Sequence, residues 1–361
     1  MSRWGPAYPS RTCTALAAAL LMAACTTADD RPAATPPSTG TSRDAARSPS
    51  APADPSPSTT PSSAPEAKPF PVSLPAYFDR RVTGRGLRLG AVREQTASFT
   101  SYDVSFRVDE RRVTGVLNIP RGRGPFPAVV LAHGYIDPAI YVSGQGMTRE
   151  RGYLADRGYV ALHVDYRNHA GSDVDPRAAR RLRLGYSVDV IAAVHALRAS
   201  SAVPVDDGRI ALMGRSMGGG VVYKALEMQP GLVAAAAVWA PVSSLEADNY
   251  NRWIRPDAGR SDLDQFIRRT YGLPEQQEAR RFWREISART YFGRITEPLL
   301  IVQGGSDDTC PPAWARASHR ALLRAGVEAR LAWYADEEHA FGPRFEEAMA
   351  RTVAFLEREL G

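Results

Sequence analysis

Two spacings of apolar residues divide the chain. Over 97–108 and 112–119 apolar and polar residues alternate one by one around Asp109-Glu110-Arg111, and a period of two with a polar break predicts an antiparallel hairpin. Beyond it the pattern changes to short, nearly continuous apolar runs at 128–132, 159–164, 210–213, 233–238, 299–302 and 329–333. Longer stretches with helical character separate them, at 148–156, 176–199, 219–228, 313–325 and 344–360. Apolar strands alternating with helices predict the α/β class, with a mostly parallel central sheet covered by helices on both faces. Reactive groups in such sheets gather beyond the carboxyl ends of the strands. The alternation stops over 243–297, a segment that holds Tyr250, Trp253, Phe266, Tyr271, Phe282, Trp283, Tyr291 and Phe292 but no strand pattern. It is expected to be a helical insertion placed as a lid, its rings either lining an apolar pocket or packing the insertion onto the core.

The N-terminal quarter follows other rules. Arg3 and Arg11 precede an apolar stretch over 15–24, the arrangement of a secretory signal peptide and too short for a spanning helix. Leu21-Met22-Ala23-Ala24-Cys25 resembles a bacterial lipobox, so residues 1–24 are expected to be removed and Cys25 to carry lipid as the new N-terminus. A secreted protein cut near Ala24 is the alternative. Residues 25–75 are dominated by Pro, Ser, Thr and Ala, with too few large apolar side chains to offset chain entropy, and are expected to form a disordered tether. That leaves 76–361 as the catalytic domain, anchored to a membrane through lipid and standing outside the cytoplasm.

Composition narrows the partners. At 361 residues with 44% hydrophobic content, the chain can bury a full-sized core. The net charge of +6 rests on arginine, since Lys68 and Lys224 are the only lysines, and the arginines are interspersed with acids. A nucleic-acid partner is therefore not expected. Once Cys13 is removed and Cys25 lipidated, Cys310 stands alone in the folded part, which excludes an internal disulfide there. Pro311 and Pro312 follow it, and no local pattern makes it a nucleophile.

Candidate chemistry centres on Gly214-Arg215-Ser216-Met217-Gly218, set between an apolar run and a helical stretch. A serine hydroxyl is a weak nucleophile near neutral pH and must be held exposed on a strained turn, near a base and facing backbone donors. Strand, tight turn and helix supply that setting for Ser216, with the N–H of Met217 as one donor to an oxyanion. The second donor is assigned to the N–H of Tyr135 in His133-Gly134-Tyr135, directly after the 128–132 run, where glycine allows close backbone approach. His133 itself is expected to bond loop backbone. His339 lies on a late loop in Asp336-Glu337-Glu338-His339 and suits a general base, whereas His163, His169, His195 and His319 sit in strand, early-loop or helix patterns that favour structural roles. The carboxylate that fixes the imidazole is Asp307 or Asp308, after Gly304-Gly305-Ser306, and Glu337 and Glu338 read as solvated loop charges. No histidine pair has metal-ligand spacing with further ligands nearby, so neither a metal nor another cofactor is expected.

These motifs together resemble the α/β-hydrolase superfamily, in its prolyl oligopeptidase-like and acetyl xylan esterase-like branches. The order Ser216, Asp307, His339 is the superfamily order, and Gly214-Arg215-Ser216-Met217-Gly218-Gly219 is a complete elbow motif. Residues 165–172, Asp-Tyr-Arg-Asn-His-Ala-Gly-Ser, look like the family's loop after the fourth strand. Residues 303–311 resemble the pattern His-Gly-x-x-Asp-x-x-Val-Pro, which implies Asp307 as the catalytic carboxylate, with Gln303 in place of histidine and Cys310 in place of valine. The resemblance covers residues 97–361 and implies a serine hydrolase working through a Ser-His-Asp triad and an acyl-enzyme. Full-length oligopeptidases of the family carry a β-propeller, and about twenty ordered residues ahead of the hairpin cannot build one. An esterase acting on small or lipid-like substrates is therefore expected, with a short-peptide peptidase as alternative and a non-catalytic binding protein as the third reading.

Overall fold

The computed structural model describes residues 68–361, so the signal sequence expected over 1–24, the lipid site expected at Cys25 and most of the tether expected over 25–75 lie outside the described residues. Packing begins before residue 76. Ser73 and Leu74 are fully buried, and the Phe70 ring meets Phe282 edge-on with centroids 5.6 Å apart. A short helix α1 (Pro75–Phe78) follows, with proline in its first turn.

Nine strands form one sheet in the order β1-β2-β3-β5-β4-β6-β7-β8-β9. The first three, β1 (Gly84–Gln95), β2 (Phe99–Val108) and β3 (Arg111–Pro120), run antiparallel. The expected hairpin is β2–β3, whereas β1 escaped the hydrophobic pattern. Leu87 is its one buried residue, so an edge strand facing water on both sides carries no alternation to read. From β4 (Phe126–Ala132) to β5 (Val160–Val164), β6 (Val205–Arg215), β7 (Ala235–Trp239), β8 (Leu299–Gly304) and β9 (Ala329–Tyr334), neighbouring strands pair in parallel.

Alternate residues of these strands feed two cores. Val130, Leu212, Ala236, Val238 and Ile301 face the layer that holds α3 (Leu184–Arg198), α4 (Met217–Met228) and α8 (Pro312–Arg324). Leu131, Met213, Ala237, Trp239 and Val302 face α2 (Thr148–Ala155) and α9 (Phe345–Leu360). Helices thus cover both faces, which is why the strands read as continuous apolar runs.

The helix expected over 176–199 starts only at Leu184. Leu182 and Arg183 both adopt left-handed backbone, with φ of 47° and 58°, and split the segment into a turned loop and α3. The expected insertion over 243–297 contains no strand and folds as α5 (Glu246–Trp253), α6 (Ser261–Tyr271), α7 (Arg280–Ile286) and two 3-10 segments. Most of its rings pack inward: Tyr250, Phe282, Trp283 and Phe292 are buried, and Tyr271 stacks on Phe282 at 4.0 Å.

Phe282 joins the insertion, the Phe70 segment and the core. Phe282→Ala is expected to lower the unfolding free energy by about 3–5 kcal/mol, measured as a shift of the denaturant midpoint with unchanged slope. A loss below about 1 kcal/mol would remove this ring as the anchor of the insertion.

Candidate active site

Ser216 occupies the turn between β6 and α4 with φ 58° and ψ −121°, a conformation rarely taken by a residue with a side chain. Three backbone hydrogen bonds hold it: its N–H donates to the Trp239 carbonyl at 2.9 Å, and its carbonyl accepts from Gly219 and Val242. Close approach explains the flanking glycines. A Cβ on Gly218 would overlap the Ala132 carbonyl, so only glycine lets α4 start against the end of β4. Gly134 lies against Ser216 in the same way, for a Cβ there would stand 3.1 Å from the serine Cβ and 3.7 Å from its Oγ. Met217 heads α4, and its N–H has no carbonyl one turn earlier to reach.

His339 and Asp307 meet across the loops that follow β9 and β8. The His339 Nδ1 lies 2.9 Å from Asp307 Oδ2 and 3.1 Å from Oδ1. The Asp307 side chain is fully buried and also accepts the N–H groups of Thr309 and Cys310 and the Nε2 of Gln303, at 3.0, 2.8 and 3.0 Å. Asp308 points elsewhere, accepting from Thr309 Oγ1 at 3.1 Å on the surface. Residue types alone left these two acids nearly equal, the family resemblance implied Asp307, and it is Asp307 that meets the histidine. The geometry also accounts for Gln303, whose amide donates to Oδ2, the same carboxylate oxygen that lies nearest the histidine.

Glu337 departs from expectation. Instead of a solvated charge it is buried, and its carboxylate accepts the N–H groups of Gly342 and Arg344, both at 2.5 Å. Its carbonyl accepts the Ser306 N–H at 3.0 Å. One residue therefore ties the loop of His339 to the loop of Asp307. Glu338 is exposed as expected.

His133 is buried, its ring nitrogens facing the carbonyls of Gly134 and Asp165 at 2.6 and 3.2 Å, which is the structural placement expected. Burial lowers its pKa from 6.5 to about 4, with neighbouring His169 acting in the same direction. His163 stacks on His133 at 5.3 Å, and burial pushes it well below the ordinary range; His169 is lowered by burial too. Behind this cluster Asp165 accepts from Thr114 Oγ1, Tyr141 OH, Ser143 Oγ and the Gly144 N–H, at 2.6–2.9 Å. The carbonyl of His133 accepts from Tyr166 OH at 3.1 Å. His195 bonds the Gln229 side chain and His319 the Ala329 carbonyl, both away from Ser216.

Ser216, Met217, Tyr135 and His339 border one cavity of about 290 Å³, and Asp307 stands behind His339. Leu182, Val221, Val242 and Ala288 give the cavity apolar wall, and the insertion adds Glu246, Asn249, Trp253 and Arg260. Trp253 is thus the one ring among the eight named in the insertion that borders the cavity. Glu246 pairs with Lys224 at 2.7 Å inside it. Sequence reasoning missed Arg183, Lys224, Glu246 and Arg260 as wall residues, since none lies in a motif, and Thr309, which fills an unspecified position of the acid motif. Cys310 is buried with its Sγ 3.9 Å from Ser216 Oγ, and burial beside Asp307 pushes its thiol up to about 12. A thiol so hard to ionise is no rival nucleophile. Among the described residues no group of three or more His, Cys, Asp or Glu could hold a metal ion.

Comparison with known proteins identifies the family and the fold. Residues 146–361 match the prolyl oligopeptidase family, described as Peptidase_S9. A dipeptidyl aminopeptidase BIII from Pseudoxanthomonas mexicana is 28% identical over 269 residues, covering 70% of this chain and 37% of the relative. The chain therefore spans little more than a third of that relative's length. Among solved structures, acetyl xylan esterase 1 from a Thermoanaerobacterium species superposes with a TM-score of 0.58 at 19% identity, covering 75% of this chain and 88% of the esterase. An acylaminoacyl peptidase from Pyrococcus horikoshii gives a TM-score of 0.56 at 22% identity, covering 74% and 42%. Both likenesses establish the α/β-hydrolase fold.

Two outcomes follow from the geometry. Gln303→Leu removes a donor from the buried Asp307 carboxylate and is expected to lower kcat/KM about tenfold or more, the size of one hydrogen bond to a charged group. Unchanged kinetics would deny Gln303 any part in holding the acid. The buried histidines make stability depend on pH: the unfolded chain takes up a proton near 6.5, whereas folded His133 does so only near 4. Unfolded protein binds more protons between those values, so stability is expected to fall as pH drops from 6.5 towards 4. Thermal melts across that range check this, and His133→Gln should flatten part of the slope.

Proposed function

We propose, from the premise that this chain belongs to the prolyl oligopeptidase family and is a serine hydrolase, that it is an esterase using Ser216, His339 and Asp307 as its catalytic triad. The observation that carries this reading is the Asp307–His339 pair at 2.9 Å, on the same cavity as a serine held at φ 58°. In the proposed reaction Ser216 Oγ attacks the carbonyl carbon while His339 Nε2 takes its proton. Asp307 keeps the Nδ1–H oriented and stabilises the imidazolium that forms. The N–H groups of Met217 and Tyr135 receive the oxyanion, a role supported by Met217's place at the head of α4 and by the contact of Gly134 with Ser216. The ester C–O bond then breaks, the leaving alcohol takes the proton from His339, and water activated by the same nitrogen releases the acid.

A cavity of about 290 Å³ suits a small acyl or alcohol group, which supports an ester substrate. Cleavage of short peptides is the second reading, favoured by the family match and by relatives named as dipeptidyl peptidases. The N-terminal sequence supports a lipid anchor at Cys25 and a place outside the cytoplasm.

A fluorophosphonate probe tests the triad before any substrate is known. Labelling is expected in the native chain and lost in Ser216→Ala, with hydrolysis of 4-nitrophenyl esters falling at least about 10³-fold. Full activity in Ser216→Ala would end the reading. Faster turnover of aminoacyl nitroanilides than of nitrophenyl esters would favour the peptidase. In a bacterial host, a membrane-impermeant form of the probe should label intact cells, and Cys25→Ala should move the labelled chain to the medium.

A further inference from the structure

The cavity wall carries more positive than negative charge, and among the described residues one of its cations has neither a hydrogen-bond nor an ion-pair partner. Lys224 and Glu246 form an ion pair at 2.7 Å and largely cancel. Arg260 donates from Nη1 to the Trp253 carbonyl at 3.1 Å, and its Nε lies 3.1 Å from Asp257 Oδ2. Arg183 is different. Its guanidinium is half-buried at the cavity, and among the described residues no carbonyl or carboxylate is within hydrogen-bond or ion-pair reach of it. What touches it is the ring of Tyr135, 5.1 Å from the Arg183 Cζ, while Arg260 lies 4.7 Å from the same ring. A guanidinium held over an aromatic face makes no hydrogen bond through that contact, so its N–H groups stay available to donate.

The backbone beneath Arg183 points the same way. Leu182 and Arg183 are consecutive residues in left-handed conformation, an arrangement L-residues avoid, and both border the cavity. Their N–H groups are fixed by the carbonyls of Ala179 and Ala178, at 3.0 and 2.9 Å. Strain of this kind persists where the surroundings impose it and clusters where a side chain must be aimed.

We propose that Arg183, set against Tyr135 with Arg260 beside it, is a specificity-determining residue that receives a carboxylate carried by the substrate. The proposal rests on the Ser216 hydrolase reading and adds the substrate class to it: esters with an anionic group near the scissile bond. Because Tyr135 also contributes a proposed oxyanion donor, a carboxylate bound at Arg183 lies on a residue adjoining the reacting carbonyl. It would align the substrate by a planar, two-pronged contact that a neutral ester cannot make.

The experiment compares kcat/KM within two matched pairs. The acyl arm sets 4-nitrophenyl hemisuccinate against 4-nitrophenyl butyrate, and the leaving-group arm sets 4-acetoxybenzoate against phenyl acetate. The native chain is expected to prefer the carboxylate member of one pair by about tenfold or more, the size of one charge-assisted hydrogen bond. Arg183→Gln should collapse that ratio and Arg183→Lys should restore part of it. Arg260→Gln should reduce it less, since Asp257 already engages that side chain. Raising the salt from 20 to 500 mM should shrink the native preference severalfold, a readout that stands even where a variant fails to fold. No preference in either arm, in a chain that the fluorophosphonate labels, overturns the proposal and leaves the hydrolase reading intact. A preference that survives Arg183→Gln overturns it too. A native chain that neither reacts with the probe nor turns over any of the four esters fails at the hydrolase reading, and the proposal falls with it.

Discussion

Parallel pairing of β4, β6, β7, β8 and β9 is the constraint on which the site depends. Strands that run the same way deliver their carboxyl ends to one edge, and each end here opens into a loop with one task. After β4 comes the Gly134–Tyr135 segment, after β6 Ser216, after β8 Asp307 and after β9 His339. β7 supplies the Trp239 carbonyl that fixes the Ser216 N–H. Residues 133, 216, 307 and 339 are remote along the chain, yet the ladder spaces their origins only one or two strands apart. No long-range device is needed beyond the sheet register itself.

Much of this was legible because buried parallel strands must be apolar on both faces. The runs around 128–132, 210–213, 299–302 and 329–333 are the strands that end at the site, and the glycine and histidine motifs follow them directly. What stayed hidden had no periodic or motif signal. An edge strand such as β1 needs no apolar face, so its pairing with β2 cannot be read from hydrophobicity. Leu182 and Arg183 interrupt a stretch whose composition suits a helix, and their left-handed backbone is set by the carbonyls of 178 and 179 rather than by glycine. Glu337 looks like one of several loop acids, and its burial follows from the return of the chain at 342–344. Gln303 and Asp308 illustrate a further limit: the motif names positions, but only the packed loops decide which oxygen meets which nitrogen.

The insertion shows how composition underdetermines role. Eight aromatic rings in one segment suggested a pocket lining as readily as a packing surface. The fold uses nearly all of them for packing, with Tyr271 on Phe282 and Tyr250 on Trp283, and lets polar and charged side chains reach the cavity instead. Burying rings against the core offsets the chain entropy of a segment with no strand to brace it. The wall is then free to be specific rather than adhesive.

Backbone strain is distributed in keeping with this division. Among the described residues, apart from Asp109 in the hairpin turn, the non-glycine residues with positive φ are Tyr166, Asn168, Ala170, Leu182, Arg183, Ser216, Ala240 and Phe341, and each follows the carboxyl end of a strand. Each costs on the order of 1–2 kcal/mol, so the active edge is kept in place by its surroundings and not by local preference. The β5–α3 loop, where five of them lie, is pinned by buried polar contacts. Asp165 accepts from four donors, and the Arg167 guanidinium is held by Asp189 at 2.6 Å and Asp175 at 3.2 Å. Asp165 also braces His133 through its carbonyl, directly ahead of the segment that carries Tyr135. Buried polar contacts therefore support both the segment that carries Tyr135 and the loop that ends in Arg183, so the two proposed roles would rest on neighbouring parts of one buried network.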